Sequence, residues 1–277
     1  MVQELTYYDS LKARLLKYYS PFLSAKLGII FSPERVQHGS IVDQYTHSIC
    51  KRNVTEFTVL HRLQSQKEEL HQLEIASECS DHLSAGIDTT GDALCFLMWR
   101  LSQPDCLPVQ DRLREELLKD SDAAFDNPYL DAVVKEGLRC FPPIPMSLPR
   151  YVPQGGRFIE GYRLPANMIV SCQPFTLNQI DTAVFPEPTR FIPERWLEKT
   201  GSEERNQLFF TFALGGRGCI GKNLAYAEMK CLLREVYSQY RTQAAPEMKG
   251  CMDMADQIIS SRPKDQTCQL VFERVVT

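Results

Sequence analysis

Apolar residues in this chain recur mostly at three- and four-residue steps, and at two-residue steps only over short runs. Leu5, Tyr8, Leu11, Leu15 and Tyr18 mark a first helical face, punctuated near Pro21 and Pro33, and a second helix is predicted from about Ile41 to Cys50. The aromatics Tyr7, Tyr8, Tyr18, Tyr19, Phe22 and Phe31 read as core, because periodic aromatic stripes usually pack. Residues 72–101 read as one long helix ending before Pro104, roughly 45 Å at about 1.5 Å per residue. A shorter helix covers Pro108–Lys119, with proline near its start. Asp126-Asn127-Pro128 caps the next, about Tyr129 to Cys140, which stops at Phe141-Pro142-Pro143. Between 147 and 172 the period shortens in Arg157-Phe-Ile-Glu and Met168-Ile-Val-Ser-Cys, with breaks at Gly155, Gly156, Gly161 and Pro165, so a small antiparallel sheet is expected. A last helix runs from Lys222 to about Tyr240, and the strand-like Cys268–Val276 returns as a terminal hairpin. The pattern is mainly α with a small antiparallel β region. No repeat, low-complexity segment or linker interrupts it, so residues 1–277 read as a single domain.

Composition narrows the function classes. Apolar residues make up 43% and charged residues 24%, which is ordinary for a globular chain, and a net charge of −4 gives no reason to expect a nucleic acid partner. Ten cysteines occur at irregular spacing with no Cys-x-x-Cys pair, against both a zinc site and a disulfide framework, and in favour of reduced chemistry. The N-terminal residues have no apolar signal core, and no apolar run approaches a membrane span.

Three local patterns carry chemistry. The long helix contains Ala85-Gly86-Ile87-Asp88-Thr89-Thr90-Gly91. Each glycine there costs about 1 kcal/mol relative to alanine, so a local opening of the helix is expected, either a plain kink or a place where a ligand meets the backbone. His82, one turn before Gly86, reads as a satisfied histidine rather than a metal ligand, since no second ligand stands at helical spacing. Glu136 and Arg139 share a helix face at i, i+3; an exposed pair of this kind contributes only a few tenths of a kcal/mol. Finally, Phe212-Ala-Leu-Gly-Gly-Arg-Gly-Cys-Ile-Gly221 places Cys219 in a glycine-rich loop directly before a helix. Helix N-termini present free N–H groups and favour negative charge, which suits a thiolate.

This last segment resembles the haem-ligand loop of the cytochrome P-450 family, Phe-x-x-Gly-x-Arg-x-Cys-x-Gly, with every fixed position filled. Ala85–Thr90 resembles the oxygen-groove motif of that family. Glu136–Arg139 and Phe191-Ile-Pro-Glu-Arg-Trp196 resemble its Glu-x-x-Arg helix and Pro-Glu-Arg-Phe loop, with Trp196 where Phe is usual, a packing position by this reading. The order and spacing fit the C-terminal half of the family, in a style most like fungal members.

The resemblance implies a truncated cytochrome P-450 fold and a haem-thiolate monooxygenase, one that inserts an oxygen atom from O2 into a small lipophilic substrate. Cys219 would be the metal ligand of haem b (iron protoporphyrin IX), with Phe212, Gly215, Arg217 and Gly221 shaping its loop. Arg150 and Arg217 would hold the propionates. Thr89 would hydrogen-bond dioxygen and Asp88 relay protons. Glu136, Arg139 and Arg195 would form a buried structural triad. Ser84, Gly86, Ile87, Ile144, Met146 and Leu148 would touch substrate.

Electrons would come from an NADPH-dependent flavoprotein reductase, docking near Arg217, Lys222, Lys230 and Arg234. The expected place is the cytosol-facing endoplasmic reticulum membrane. Family members are longer at the N-terminus and carry Trp-x-x-x-Arg. Here residues 103 and 200, four after the two tryptophans, are Gln and Thr, which implies a chain starting in mid-fold, without the N-terminal lobe and membrane anchor. A catalytically inactive fragment is therefore a second reading. A haem-thiolate isomerase or dehydratase needing no reductase is a third, disfavoured by the Asp88-Thr89 pair.

Overall fold

In the computed structural model of the chain, the described residues are 19–20, 22–23, 41–52, 54–66, 70–119, 126–255 and 260–275. The stripe from Leu5 to Tyr18, with Tyr7 and Phe31, lies outside them. Tyr19 and Phe22 do not form core as expected: they are 76% and 73% exposed. Much of any folded surface is apolar, so periodicity alone does not decide burial.

Contacts group the chain into two units, one up to Asp88 and one from Thr89, with the division inside a helix. The first unit holds α1 (Ile41–Ile49), α2 (Val59–Ser65) and the start of α3 (Gln72–Leu101). Thr58 caps α2 by accepting from the N–H of His61. Cys50, Leu60, Ile75 and Ala76 form this unit's buried cluster.

The expected opening within α3 is absent: the helix is α-helical without interruption from Gln72 to Leu101. The propensity cost of its glycines and threonines is small beside the burial of Ala93, Phe96, Leu97 and Leu101, where a fully buried Leu or Phe contributes about 1.5–3 kcal/mol. Gly91 faces open space, with nothing within 4 Å of where a Cβ would stand.

The second unit is built around α5 (Pro128–Cys140). Its start is set by sequence chemistry: the Asn127 side chain accepts from the N–H of Leu130 at 2.9 Å, and Pro128 occupies the first turn, where no N–H is needed. Gly137 lets α3 approach closely, since a Cβ there would come within 2.8 Å of Leu97 Cδ1. The Phe96 and Phe141 rings stack at 5.4 Å nearby. Packed around α5 are α4 (Leu107–Lys119), which buries Gln110, Leu113 and Leu117, and a long helix Lys222–Gln239, which buries Met229, Leu233 and Tyr237.

The expected β region is present as separate antiparallel pairs. β1 (Leu148–Tyr151) pairs with β4 (Ile169–Cys172), Arg150 opposite Val170. Between them β2 (Arg157–Ile159) and β3 (Tyr162–Leu164) form a hairpin. Its turn residues Glu160 and Gly161 both have positive φ, 50° and 80°, as a tight two-residue hairpin requires. Two short helices follow, α6 (Pro174–Ile180) and α7 (Ser202–Leu208), before the long α8 (Lys222–Gln239). The C-terminal strand exists, but not in a hairpin with a near neighbour: β5 (Tyr240–Ala244) pairs with β8 (Leu270–Arg274), and the short β6 (Met254–Ala255) and β7 (Arg262–Pro263) pair with each other between them. Among the described residues no helix is long and apolar enough to cross a membrane.

Candidate functional site

Cys219 sits on a loop folded back on itself. Its N–H donates to the carbonyl of Phe212 at 2.8 Å, and the N–H of Gly218 donates to Gly215 O at 2.9 Å. Gly215 has a φ of +67°, where a side chain would be strained. The loop leads into α8, so Cys219 lies two residues before the N-cap position of that helix, Gly221, as the sequence indicated. A Cβ on Gly221 would stand 3.9 Å from Cys219 Sγ, an ordinary contact distance, so Gly221 lies directly beside the sulfur.

The sulfur faces a cavity of about 290 Å³, at the small end for a ligand site. The second unit alone builds it. Thr89, Thr90 and Ala93 come from α3 and Leu138 from the end of α5. Ile144 follows α5, Leu148 and Arg150 come from β1, Thr211 to Ala213 with Arg217 and Cys219 from the loop, and Ala225 and Met229 from α8. The lining is apolar apart from three threonines, the thiol and two guanidinium groups. Arg217 makes no ion pair or hydrogen bond among the described residues, and Arg150 donates only to its neighbour Pro149 O, at 2.8 Å. A thiol, two available guanidiniums and apolar walls match the chemistry of a flat ring system carrying two carboxylates and a metal. The residues present therefore fit a haem.

Seven of the residues singled out from the sequence meet at this cavity: Thr89, Ile144, Leu148, Arg150, Phe212, Arg217 and Cys219. Gly215 and Gly221 shape the loop backbone without lining the space. Met146 does not line it and is 40% exposed. Bends at Pro143, Ile144 and Met146 break the two-residue alternation that would have put 144, 146 and 148 on one face. Ser84, Gly86, Ile87 and Asp88 are placed on α3 in the first unit, and none lines the cavity. His82 in that unit has its Nδ1 at 2.7 Å from Glu78 O, a local partner. Sequence reasoning missed Ala93, Leu138, Ala225 and Met229. Spacing held the signal, since Ala93 stands four residues after Thr89 and Met229 four after Ala225. Thr211 gave none.

The Glu136, Arg139 and Arg195 side chains do come together, with 0%, 0% and 5% exposure. Arg139 makes a bidentate pair with Glu136, Nε to Oε2 at 2.9 Å and Nη2 to Oε1 at 2.8 Å, and Arg195 Nε reaches Oε1 at 3.1 Å. Arg139 also donates to the carbonyls of Asn178, Pro188 and Arg190. One buried carboxylate thus ties α5 to the segment ahead of the cysteine loop. Trp196 is not simply a packing residue. Its Nε1–H donates to Glu136 Oε2 at 2.8 Å, which phenylalanine could not do.

Lys230 is not a free surface cation either: only 14% exposed, it pairs with Asp131 of α5 at 2.8 Å, and Asp131 also pairs with Lys135 at 2.9 Å. Burial alone would raise the Asp131 carboxyl, but hydrogen bonds from Lys230 and Lys135 outweigh it and hold it below the usual carboxylate range.

The cysteine loop, the buried charge cluster and the cavity define a haem-thiolate class of fold. The sequence description of that class, Cytochrome P450, matches residues 36–269. The chain belongs to the cytochrome P450 family. It is 34% identical over 186 residues to Cytochrome P450 monooxygenase ORF11 of Penicillium roqueforti, covering 64% of this chain and 38% of that protein. It is 32% identical over 222 residues to Cytochrome P450 monooxygenase hkm5 of Aspergillus hancockii, covering 76% and 42%. The chain thus spans about two fifths of the length of these curated relatives. In structure it is similar to retinoic acid bound cyanobacterial CYP120A1, with a TM-score of 0.72 and 23% identity over 84% of this chain and 55% of that one.

Proposed function

We propose that this chain carries the haem site of a monooxygenase acting on a small lipophilic substrate in fungal secondary metabolism. The observation that carries the reading is Cys219 at the wall of an apolar cavity that also holds Arg150 and Arg217. The fungal relatives named as monooxygenases support the reaction class and the setting. The reading includes a single domain over 1–277, a cytosol-facing endoplasmic reticulum location and haem b as the cofactor.

Cys219 Sγ would be the ligand to the haem iron, and Arg150 and Arg217 would pair with its propionates. A haem held there would supply the chemistry of O2-dependent oxygen insertion into a substrate C–H bond, with the second oxygen atom reduced to water. Two electrons come from an NADPH-dependent flavoprotein reductase. The chain's own residues set the conditions. Ala93, Leu138, Ile144, Leu148 and Met229 exclude water and hold apolar matter. Thr89 lines the same cavity, and by the family resemblance its hydroxyl would hydrogen-bond dioxygen there. The proton-relay role of Asp88 rests on the family resemblance.

The test is the absorption spectrum of the haem-loaded, reduced chain under carbon monoxide. A long-wavelength Soret band, lost in Cys219→Ser, is the expected result. Haem bound with only the shorter-wavelength, non-thiolate band would overturn the assignment. Thiolate-bound haem with no turnover in the presence of reductase and NADPH would favour the reading as an inactive fragment, for which the two-fifths span is the supporting observation.

A further inference from the structure

We propose that Trp196 is a positioning residue that couples the buried Glu136 carboxylate to the loop carrying Cys219. The two oxygens of Glu136 are served unequally. Oε1 accepts from Arg139 Nη2, Arg195 Nε and the backbone N–H of Ile192, at 2.8, 3.1 and 2.9 Å. Oε2 accepts only from Arg139 Nε and Trp196 Nε1, at 2.9 and 2.8 Å. The indole is one of only two donors on Oε2, whereas Oε1 has three, so its loss would halve the hydrogen bonding of that oxygen. Glu136 has no solvent exposure, and water cannot replace that donor without entering the core.

The same ring also contacts an aromatic chain that leads to the cysteine loop. Trp196 packs edge-on against Phe209 with centroids 5.3 Å apart, Phe209 packs edge-on against Phe212 at 6.4 Å, and the Phe212 carbonyl holds the Cys219 N–H at 2.8 Å. The buried Phe185 ring also packs against the indole, with centroids 5.9 Å apart. The indole is held in one orientation by its N–H, and that orientation fixes the edge on which Phe209 rests. A phenylalanine at 196 would keep the ring contacts but be free to tilt, because nothing anchors it to Glu136. The consequence reaches Cys219 through two aromatic contacts and one backbone hydrogen bond, all within the second unit.

The coupling bears on haem ligation only under the function proposed above, but it belongs to the polypeptide and is testable without haem. In the isotope-labelled 277-residue chain, hydrogen exchange is measured at the amide of Cys219 and at that of Thr242. The Thr242 N–H donates to Gln110 Oε1 at 3.0 Å in the same unit and is not linked to Trp196. Trp196→Phe is expected to lower protection at Cys219 roughly tenfold and to leave Thr242 unchanged. Equal loss at both amides, meaning general destabilisation, would overturn the proposal, as would no loss at either.

Should the variant fail to fold, the unsubstituted chain still decides. The Trp196 indole N–H must exchange more slowly than that of Trp99, whose indole has no hydrogen-bond partner among the described residues; equal rates overturn the proposal.

Discussion

Cysteine environment divides the thiols of this chain into buried and exposed sets. Burial pushes the Cys106 thiol up to about 11, with the charge of Asp105 adding to it against Arg100. Burial likewise takes Cys140 up to about 12, with Glu136 adding. Both should resist alkylation in the native chain at pH 8, because the thiolate is the reactive form. Cys172, Cys219 and Cys231 are exposed and should react. Haem loading is expected to protect Cys219 and leave Cys172 and Cys231 reactive, as read by peptide mass mapping after iodoacetamide. Unchanged labelling of Cys219 in the haem-bound chain would rule it out as the ligand. This residue was legible because its loop is specified locally, by four glycines and an arginine within ten positions. The role of Trp196 was not legible, because its acceptor lies 60 positions away, and a motif position records the shape of a side chain, not what its polar atom will meet.

Elements were legible where their ends carry chemistry. Asn127-Pro128 fixed the start of α5 to within a residue, and Asn127→Ala should cost about 1 kcal/mol in urea unfolding. The interior of α3 was misread because glycine and threonine lower helix propensity locally, whereas burial of the segment from Ala93 onward acts over several turns. The bracing of α5 to α8 was also hidden, since Lys230 and Asp131 are paired only by the fold. That brace has a pH signature. The Asp131 carboxyl is held lower in the folded chain than when unfolded. Its stabilisation is therefore present above the unfolded value of about 3.9, and is lost as pH falls through the folded value. Because the group is partly exposed, the contribution is about 1 kcal/mol or less. Asp131→Asn should lower stability at pH 7 and make no difference at the acid end of the same titration. A penalty that persists undiminished in acid would mean that packing, not charge, sets the cost.

At the scale of the molecule, the second unit gathers buried charge on a single carboxylate. Glu136 is fully buried and satisfied by two arginines, an indole and a backbone N–H, so removing its charge strands both guanidiniums. Glu136→Gln should cost about 3–5 kcal/mol, the usual effect of breaking a buried pair from one side. That loss is measurable by denaturant unfolding without haem.

Haem binding, under the function proposed above, would act on stability in the opposite direction. A ligand at a hundredfold excess over its dissociation constant, binding only the folded form, contributes about 2.7 kcal/mol. For a unit running from Thr89 to Thr277, this corresponds to a rise of roughly 5–10 °C in thermal midpoint. Haem is therefore expected to raise the midpoint of the unsubstituted chain by that amount and of Cys219→Ala by clearly less, since the cavity and both arginines remain but the ligand bond is gone. If the two midpoints rise equally, haem is held by the apolar walls and the guanidiniums alone, and the loop does not supply the ligand. If neither rises, two fifths of the relatives' length does not complete a haem pocket, and the same titration should be repeated with the polypeptide that matches the remainder of those relatives.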